Sequence, residues 1–345
     1  MCDLCGYSRR RFLVAGGTAV LLAACGVNEG GGATAVPPPI SPMLTPTFVP
    51  TPTLRTAVTP LLEPTIVRQE MPHFGGVVAA IDERSVMLAA PVGTRQFELA
   101  VEIQVAVDDS VVIWVEGEQV TAVQKLPPFS ATEEIPDGWV QGEVTGEKRP
   151  LGQFDLITRA GWGAGAANWQ TSDEAGAFDA ETNPIGHLIY PEPLSDWLNT
   201  LVVHHSALDY LAGPREIQRL HILENGFGDV GYHFLVDGLG QVYEGRPLNE
   251  RGAHTGGYNT GTVGICLLGN FEIVQPVMAQ LNSLHQVAVY LRDTVGIMHL
   301  AGHRGFQPEA TVCPGVHLWP LLSDVATEAG LIWGTDGYVV PDWAS

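Results

Sequence analysis

The stretch NTLVVHHSA, residues 199–207, is followed closely by GPREIQRLHILENGFG, residues 213–228. The first is a β-branched run and predicts a buried strand that ends in two histidines. The second has a proline suited to the first turn of a helix and, at Gly226, a glycine suited to the position just past its end. A strand followed by a helix indicates an α/β fold rather than an all-β or all-α fold.

The segments downstream continue this alternation. GYHFLVDGLGQVYEGR, residues 231–246, is typical of a β-hairpin, and TVGICLLGN, residues 262–270, of a buried strand. MAQLNSLHQVAVYLRDTVG, residues 278–296, has the spacing of an amphipathic helix, and IMHLAGHRG, residues 297–305, predicts another strand. We therefore predict a central mixed β-sheet flanked by helices, in a domain that covers residues 147–345.

A region of different character precedes this domain. Residues 71–146 contain short β-branched runs, such as DSVVIWVEG at 109–117, separated by glycine, aspartate and proline turns. Several short strands at this spacing predict a small all-β domain, either a barrel or a sandwich, and an OB-like barrel is one option. The region contains no catalytic constellation, and its role is either that of a spacer or packing module or that of a binding module.

The N-terminus has the features of an export signal. Residues 8–14 read SRRRFLV, which resembles a twin-arginine signal, and an apolar run too short to cross a bilayer follows. The run ends in LAACG, which resembles the lipobox of bacterial lipoproteins and predicts a signal peptide over 1–24 and lipidation of Cys25. An ordinary cleaved signal is the alternative. Residues 25–70 form a Pro/Thr/Gly-rich linker, so we expect an envelope lipoprotein anchored on the outer side of the cytoplasmic membrane.

The charge of the chain limits its partners. The formal net charge of the 345 residues is −21. A strongly acidic chain does not neutralise phosphates, which argues against nucleic acid as a partner and against a polybasic contact with anionic lipid. We expect a monomer whose membrane contact is made through Cys25.

Candidate metal ligands stand at or just past the ends of predicted strands. They are His204 or His205, His303 and Cys313. Zinc takes nitrogen and sulfur ligands in a tetrahedron, and a catalytic site keeps one position for water. Since strand ends of one sheet converge on one rim, distance along the chain does not prevent these residues from meeting. Spacing alone leaves the choice between the two adjacent histidines open.

Five stretches in one order resemble the peptidoglycan recognition protein and type 2 amidase family, which includes amidase-type phage lysozymes. They cover about half of the chain and are LITRAGWGA (156–164), LVVHHSA (201–207), DVGYHFLVDGLGQVYEGRP (229–247), GAHTGGYNTGTVGICLLGNF (252–271) and GHRGFQPEATVCPG (302–315). The resemblance implies a zinc site and a peptidoglycan substrate.

Position by position, the resemblance implies that His204, His303 and Cys313 are the zinc ligands. It implies that Tyr232 lies beside the metal and that Thr311, two positions before the cysteine, completes the catalytic site. Family members that only bind peptidoglycan commonly lack the cysteine, so its presence favours catalysis. Two departures are Gly305, where many members have an acidic residue, and a slightly longer segment between His303 and Cys313.

The HTGGYN segment is expected on a loop near the substrate groove. We therefore expect His254, Tyr258 and Asn259 to bind substrate, with a merely structural turn as the alternative. His205 faces the opposite side of a regular strand from His204 and is expected to be structural. His221 is expected to be a core residue on a helix face.

The resemblance implies zinc-dependent hydrolysis of the amide bond between the lactyl group of N-acetylmuramic acid and L-alanine. In this mechanism zinc-activated hydroxide attacks the carbonyl, and Tyr232 helps to stabilise the oxyanion. Three alternatives stay open: a non-catalytic peptidoglycan-binding lipoprotein, a zinc hydrolase acting on another amide, and a structural protein with a disulfide between Cys266 and Cys313.

Overall fold

The computed structural model describes residues 71–127, 141–170 and 172–340 of the chain. The predicted export signal, the lipidation site at Cys25 and the linker lie outside these residues and stay predictions. None of the helices in the described part of the chain combines the length and the apolar character needed to cross a bilayer.

The first five strands close into a small barrel. They are β1 (Phe74–Ile81), β2 (Ser85–Ala89), β3 (Thr94–Leu99), β4 (Ser110–Glu116) and β5 (Gln119–Lys125). They neighbour one another in the order β1-β2-β3-β5-β4, and β4 pairs back with β1. Strand β3 runs parallel to β5, while the other pairs are antiparallel. Of the two predicted options the barrel is therefore confirmed, and this strand order is that of an OB-like barrel.

The second half of the chain forms an eight-stranded sheet in the order β13-β12-β8-β11-β9-β10-β7-β6. Its strands are β6 (Lys148–Leu151), β7 (Phe154–Ile157), β8 (Thr200–His205), β9 (Phe234–Val236), β10 (Val242–Glu244), β11 (Thr262–Leu267), β12 (His299–Gly302) and β13 (Ile332–Trp333). Strands β8, β11 and β12 are mutually parallel at its centre, and β9 and β10 form an antiparallel hairpin. The predicted mixed sheet is confirmed.

Helices cover both faces of this sheet. The helices are α1 (Arg159–Trp162), α2 (Pro214–Leu223), α3 (Met278–Val295), α4 (His303–Phe306) and α5 (Leu322–Glu328). Helices α3 and α5 pack on one face in a large apolar core that includes Val203, Ile265 and Leu284. Helix α2 packs on the other face through Ile217, which lies in a smaller core with Cys266.

Neighbouring residues of a strand point to opposite faces, and this alternation positions the site. Val203 belongs to the core beneath α3, so the next residue, His204, points to the α2 side. The parallel pairing sets His204 beside Cys266, which is part of the α2-side core. The end of β8 therefore presents one histidine to each face of the sheet.

The barrel packs directly against the sheet. Leu239, from the turn between β9 and β10, lies in the barrel core, and Met71, which precedes β1, lies in the core beneath α3. The backbone N–H of Gly75 donates to the carbonyl of Gly238 at 2.8 Å. Tyr210, in the loop that follows β8, is buried in an apolar cluster shared with Val112 of β4. The barrel and the sheet therefore pack against each other through apolar side chains.

Candidate metal centre

The site is built around His204 at the end of β8. Its side chain is fully buried, and its Nδ1 lies 3.6 Å from the Sγ atom of Cys313. The ring of His204 has its centroid 4.7 Å from that of His303. His204 therefore meets two residues that lie about 100 positions further along the chain, at one rim of the sheet.

The sheet brings His303 into position. Strand β12 runs parallel to β8, and Gly302 lies opposite Val203. The residue that follows each of these two is a candidate ligand: His303, the first residue of α4, and His204. Both histidines leave parallel neighbouring strands at the same end, which is the convergence that the strand pattern predicts.

The loop after α4 presents the cysteine. The backbone N–H of His205 donates to Cys313 Sγ at 3.4 Å, and the Cys313 N–H donates to the hydroxyl oxygen of Thr311 at 3.1 Å. Cys313 is buried at 7% exposure. The sulfur is therefore held against the end of β8.

The three side chains fit a tetrahedral metal ion. One ligand atom each from His204, His303 and Cys313 lies within 4.8 Å of the others, and all three residues are buried. Zinc bonds of about 2.0 Å to nitrogen and about 2.3 Å to sulfur place two tetrahedral ligand atoms roughly 3.6 Å apart. The Nδ1–Sγ distance between His204 and Cys313 matches this separation. Two imidazoles and a thiolate suit zinc, and three protein ligands leave the fourth position to water or substrate.

The electrostatics of the site favour neutral imidazoles. Burial, reinforced by the neighbouring histidines, holds the pKa of His204 well below its usual value. Burial also lowers the pKa of His303 to about 4. Both rings are therefore neutral at neutral pH, as a histidine must be to ligate a metal.

The outer nitrogens of the two candidate ligands are both hydrogen bonded. His204 Nε2 lies 3.1 Å from Nδ1 of His254, which is fully buried. His303 Nε2 lies 3.0 Å from Oε1 of Gln307. Sequence reasoning did not single out Gln307, although it stands four residues after His303, where one helical turn returns to the same side.

Tyr232 lies beside this group. Its ring centroid is 5.1 Å from that of His204 and 5.3 Å from that of His221. His221 on α2 accepts the backbone N–H of Gly231 through Nδ1 at 2.8 Å. His221 is buried, as predicted, but it also fixes the segment that carries Tyr232. Its spacing of four residues from Ile217 is the signal that places it on the inner face of α2.

The other predicted site residues lie on two loops around the group. Thr311 is half-buried and contacts the backbone of Cys313 as described above. Asn259 accepts the backbone N–H groups of His254 and Thr255 at 2.8 and 2.7 Å. Tyr258 is half-buried, with its ring centroid 5.0 Å from that of Phe306. Contact of His254, Tyr258 and Asn259 with substrate stays a prediction.

His205 and Cys266 belong to the surroundings. His205 is buried, and its Nδ1 accepts the backbone N–H of Phe271 at 3.2 Å, on the face opposite His204. Cys266 and Cys313 are both buried and are not joined in a disulfide. A structural role for a Cys266–Cys313 bridge is therefore not supported.

The chain is similar to known amidases and peptidoglycan recognition proteins. A family model described as N-acetylmuramoyl-L-alanine amidase matches residues 195–316. Peptidoglycan-recognition protein SC1a of Drosophila melanogaster is 30% identical over 179 residues, which are 48% of this chain and 82% of that protein. Peptidoglycan-recognition protein SD of Drosophila simulans is 33% identical over 181 residues, which are 50% of this chain and 86% of that protein.

Solved structures with similar sequences include the amidase endolysin LysCS from Clostridium intestinale. It is 30% identical, with 39% of this chain and 84% of that chain covered and a TM-score of 0.36. Bumblebee PGRP-SA is 26% identical, with 52% and 96% covered and a TM-score of 0.41. Both TM-scores are below 0.5, so the assignment rests on the sequence matches, which span more than four fifths of the curated relatives. On those matches, the chain belongs to the peptidoglycan recognition protein and type 2 N-acetylmuramoyl-L-alanine amidase family.

Proposed function

We propose that this protein is a zinc-dependent N-acetylmuramoyl-L-alanine amidase that acts on peptidoglycan. The observation that carries the proposal is the approach of His204, His303 and Cys313, whose ligand atoms lie within 4.8 Å of one another. The family contains amidases and proteins that only bind peptidoglycan, so family membership alone does not decide for hydrolysis. The buried cysteine does favour it, because it completes a three-ligand set with an open fourth position.

The candidate ligands His204, His303 and Cys313 and the side chains around them would have separate roles in catalysis. A bound zinc ion supplies Lewis-acid chemistry and a nucleophile at neutral pH. His204, His303 and Cys313 would hold that ion in a site largely closed to bulk water. Tyr232 stands beside His204, where its hydroxyl would donate to the oxygen of the lactyl carbonyl as negative charge develops there. Thr311 holds the backbone of Cys313 and thus the position of the thiolate.

The loss expected on removing the Tyr232 hydroxyl follows from this role. Deleting one oxyanion donor typically costs about 2.7–4 kcal/mol, or roughly 10²–10³ in kcat. Tyr232→Phe should therefore be nearly inactive while it retains zinc. An active Tyr232→Phe enzyme would refute the assigned role without affecting the metal site.

Export and lipid anchoring remain part of the proposal. The twin-arginine-like segment and the lipobox that ends at Cys25 support a lipoprotein on the outer side of the cytoplasmic membrane. Growing cells with a labelled fatty acid would test it, since the label should enter the wild-type chain and not Cys25→Ala. Equal labelling of the two chains would contradict lipidation at this residue.

Digestion of purified peptidoglycan tests the activity itself. The full chain should release stem peptides that begin with L-alanine, and a chelator should stop the release. Cys313→Ser should be inactive, whereas Cys266→Ala, a matched change of the second buried cysteine, should stay active. Cosedimentation with the cell wall without release would instead identify a binding protein. Products cut at a different bond would identify a hydrolase of another amide.

A further inference from the structure

The HTGGYN loop, residues 254–259, lies beside the candidate histidine ligands. Its first residue, His254, is 0% exposed, and its centroid lies 5.0 Å from that of His204. The fully buried His254 side chain therefore lies directly against His204. The hydrogen bonds of this loop bear on which nitrogen each histidine ligand offers to a metal.

His254 supplies the acceptor that the metal-binding tautomer of His204 needs. Nδ1 of His204 lies 3.6 Å from Cys313 Sγ, and its other ring nitrogen, Nε2, lies 3.1 Å from Nδ1 of His254, which is also 3.0 Å from the hydroxyl oxygen of Thr255. When a neutral His204 offers the Nδ1 lone pair to a metal, Nε2 carries the ring proton and donates it to His254 Nδ1.

The orientation of Gln307 determines the tautomer of His303. The amide nitrogen of Gln307 donates to the backbone carbonyl of Gly256 at 2.9 Å, which fixes which end of the amide is oxygen. That oxygen lies 3.0 Å from His303 Nε2, so Nε2 must donate a proton to it. The lone pair of His303 is therefore left on Nδ1.

Asn259 connects these two hydrogen-bond chains. Its side-chain oxygen accepts the backbone N–H groups of His254 and Thr255, which closes the loop on itself. The same loop supplies His254 to one ligand and, through the Gly256 carbonyl, the anchor of Gln307 to the other. Residues 254–259 thus contact His204 directly, through His254, and His303 through Gln307.

We propose that the 254–259 loop is a clamp that fixes both histidine ligands with Nδ1 toward the metal. In this clamp His254 and Gln307 are positioning residues, and Asn259 keeps the loop closed. The inference rests on the proposed metal site. It adds a cause for the ligand geometry and gives His254 and Asn259 a role that does not require contact with substrate. Loss of such an outer partner typically weakens metal binding by about 10–100-fold.

Zinc affinity, measured by chelator competition on the full chain, tests the clamp. His254→Leu and Gln307→Leu should each bind zinc about 10–100-fold more weakly than the wild type. His254→Asn places an oxygen near the position of Nδ1 and should restore most of the affinity. Gln307→Glu keeps an acceptor for His303 but cannot donate to Gly256, so it separates the two contacts of Gln307.

A matched control separates this role from a loss of packing. Gln241 is another largely enclosed glutamine; its amide donates to the carbonyl of Val92 at 2.9 Å near the barrel. Gln241→Leu should destabilise the fold without changing zinc affinity. Wild-type zinc affinity in both His254→Leu and Gln307→Leu would overturn the clamp. Failure of the wild-type chain itself to bind zinc would instead overturn the proposed function.

Nitrogen-15 spectra of the histidine rings give a second test that does not depend on any variant. In the zinc-loaded chain, His204 and His303 should each show a protonated Nε2 and a metal-bound Nδ1. Coordination through Nε2 in either ring would contradict the clamp even if zinc binds tightly.

Discussion

Replacing His221 by leucine should lower activity through Tyr232 rather than through the metal. His221 is buried, accepts the Gly231 N–H at 2.8 Å and packs its ring 5.3 Å from that of Tyr232. Leucine fills a similar volume but leaves this buried N–H without its acceptor, at a cost of about 1–3 kcal/mol of folding stability. Tyr232 is the next residue, so the same change displaces its hydroxyl. The loss in kcat should therefore approach, but not exceed, the roughly 10²–10³ expected for removing that hydroxyl.

A double-mutant cycle measures this coupling. We expect His221→Leu to lower kcat in the wild-type background and to have almost no further effect in Tyr232→Phe. His221→Asn should retain most of the activity, because its side-chain oxygen can accept the Gly231 N–H from the position of Nδ1. Zinc affinity should be the same in all these variants, since neither residue is among the candidate ligands.

Additivity of the two changes would refute this reasoning. Independent sites add to within about 0.3–0.5 kcal/mol, or about twofold in rate. If His221→Leu lowers kcat by the same factor with and without the Tyr232 hydroxyl, His221 acts on the fold or the metal instead. A fall in zinc affinity would point to the metal.

Three further predictions concern stability. The buried Tyr210 hydroxyl has no hydrogen-bond partner among the described residues, so Tyr210→Phe should leave the melting temperature unchanged or raise it; a clear fall would contradict this. Arg246 is fully buried in a bidentate ion pair with Glu174, so Arg246→Met should cost about 3–5 kcal/mol in urea unfolding, and a loss under about 1 kcal/mol would contradict it. Burial lowers the pKa of His221 to about 3 and that of His233 to about 4. Below pH ~6.5 the unfolded chain therefore binds protons at these two histidines while the folded chain does not. Metal-free protein should therefore lose about 1.4 kcal/mol per pH unit for each of them between pH ~6 and ~4, and a flat profile would exclude this linkage.

The grouping of the three candidate ligands could be predicted because each of them belongs to a recognisable local stretch of sequence. His204 and His303 each follow a β-branched run, and parallel strands of one sheet end at one rim. The motifs then select His204 over His205, and the alternation of side chains along β8 explains this choice physically, since His205 points to the other face.

The arrangement around the ligands could not be predicted in the same way. The contact of His254 with His204 spans 50 positions and depends on the course of a loop, for which hydrophobic periodicity carries no signal. The amide orientation of Gln307 depends on a backbone carbonyl in that same loop. Tertiary contacts, and not local sequence, determine these hydrogen bonds.

The barrel, too, could be predicted from the sequence only in part. Its short strands are visible in the sequence, but the parallel pairing of β3 with β5 skips β4 and depends on closure of the whole barrel. Its close contact with the sheet depends on Gly75 and Gly238, since a Cβ atom on Gly238 would lie 2.2 Å from the Gly75 carbonyl oxygen. A pair of glycines 163 positions apart is not recognisable as a contact before the fold is known.

Cobalt substitution tests most directly whether two imidazoles and the Cys313 thiolate hold a metal. The full chain, loaded with an equimolar amount of cobalt(II), should show sulfur-to-cobalt charge-transfer absorption that persists in Cys266→Ala and disappears in Cys313→Ser. Absence of this absorption from the wild-type chain, or its persistence in Cys313→Ser, would contradict the proposed metal centre.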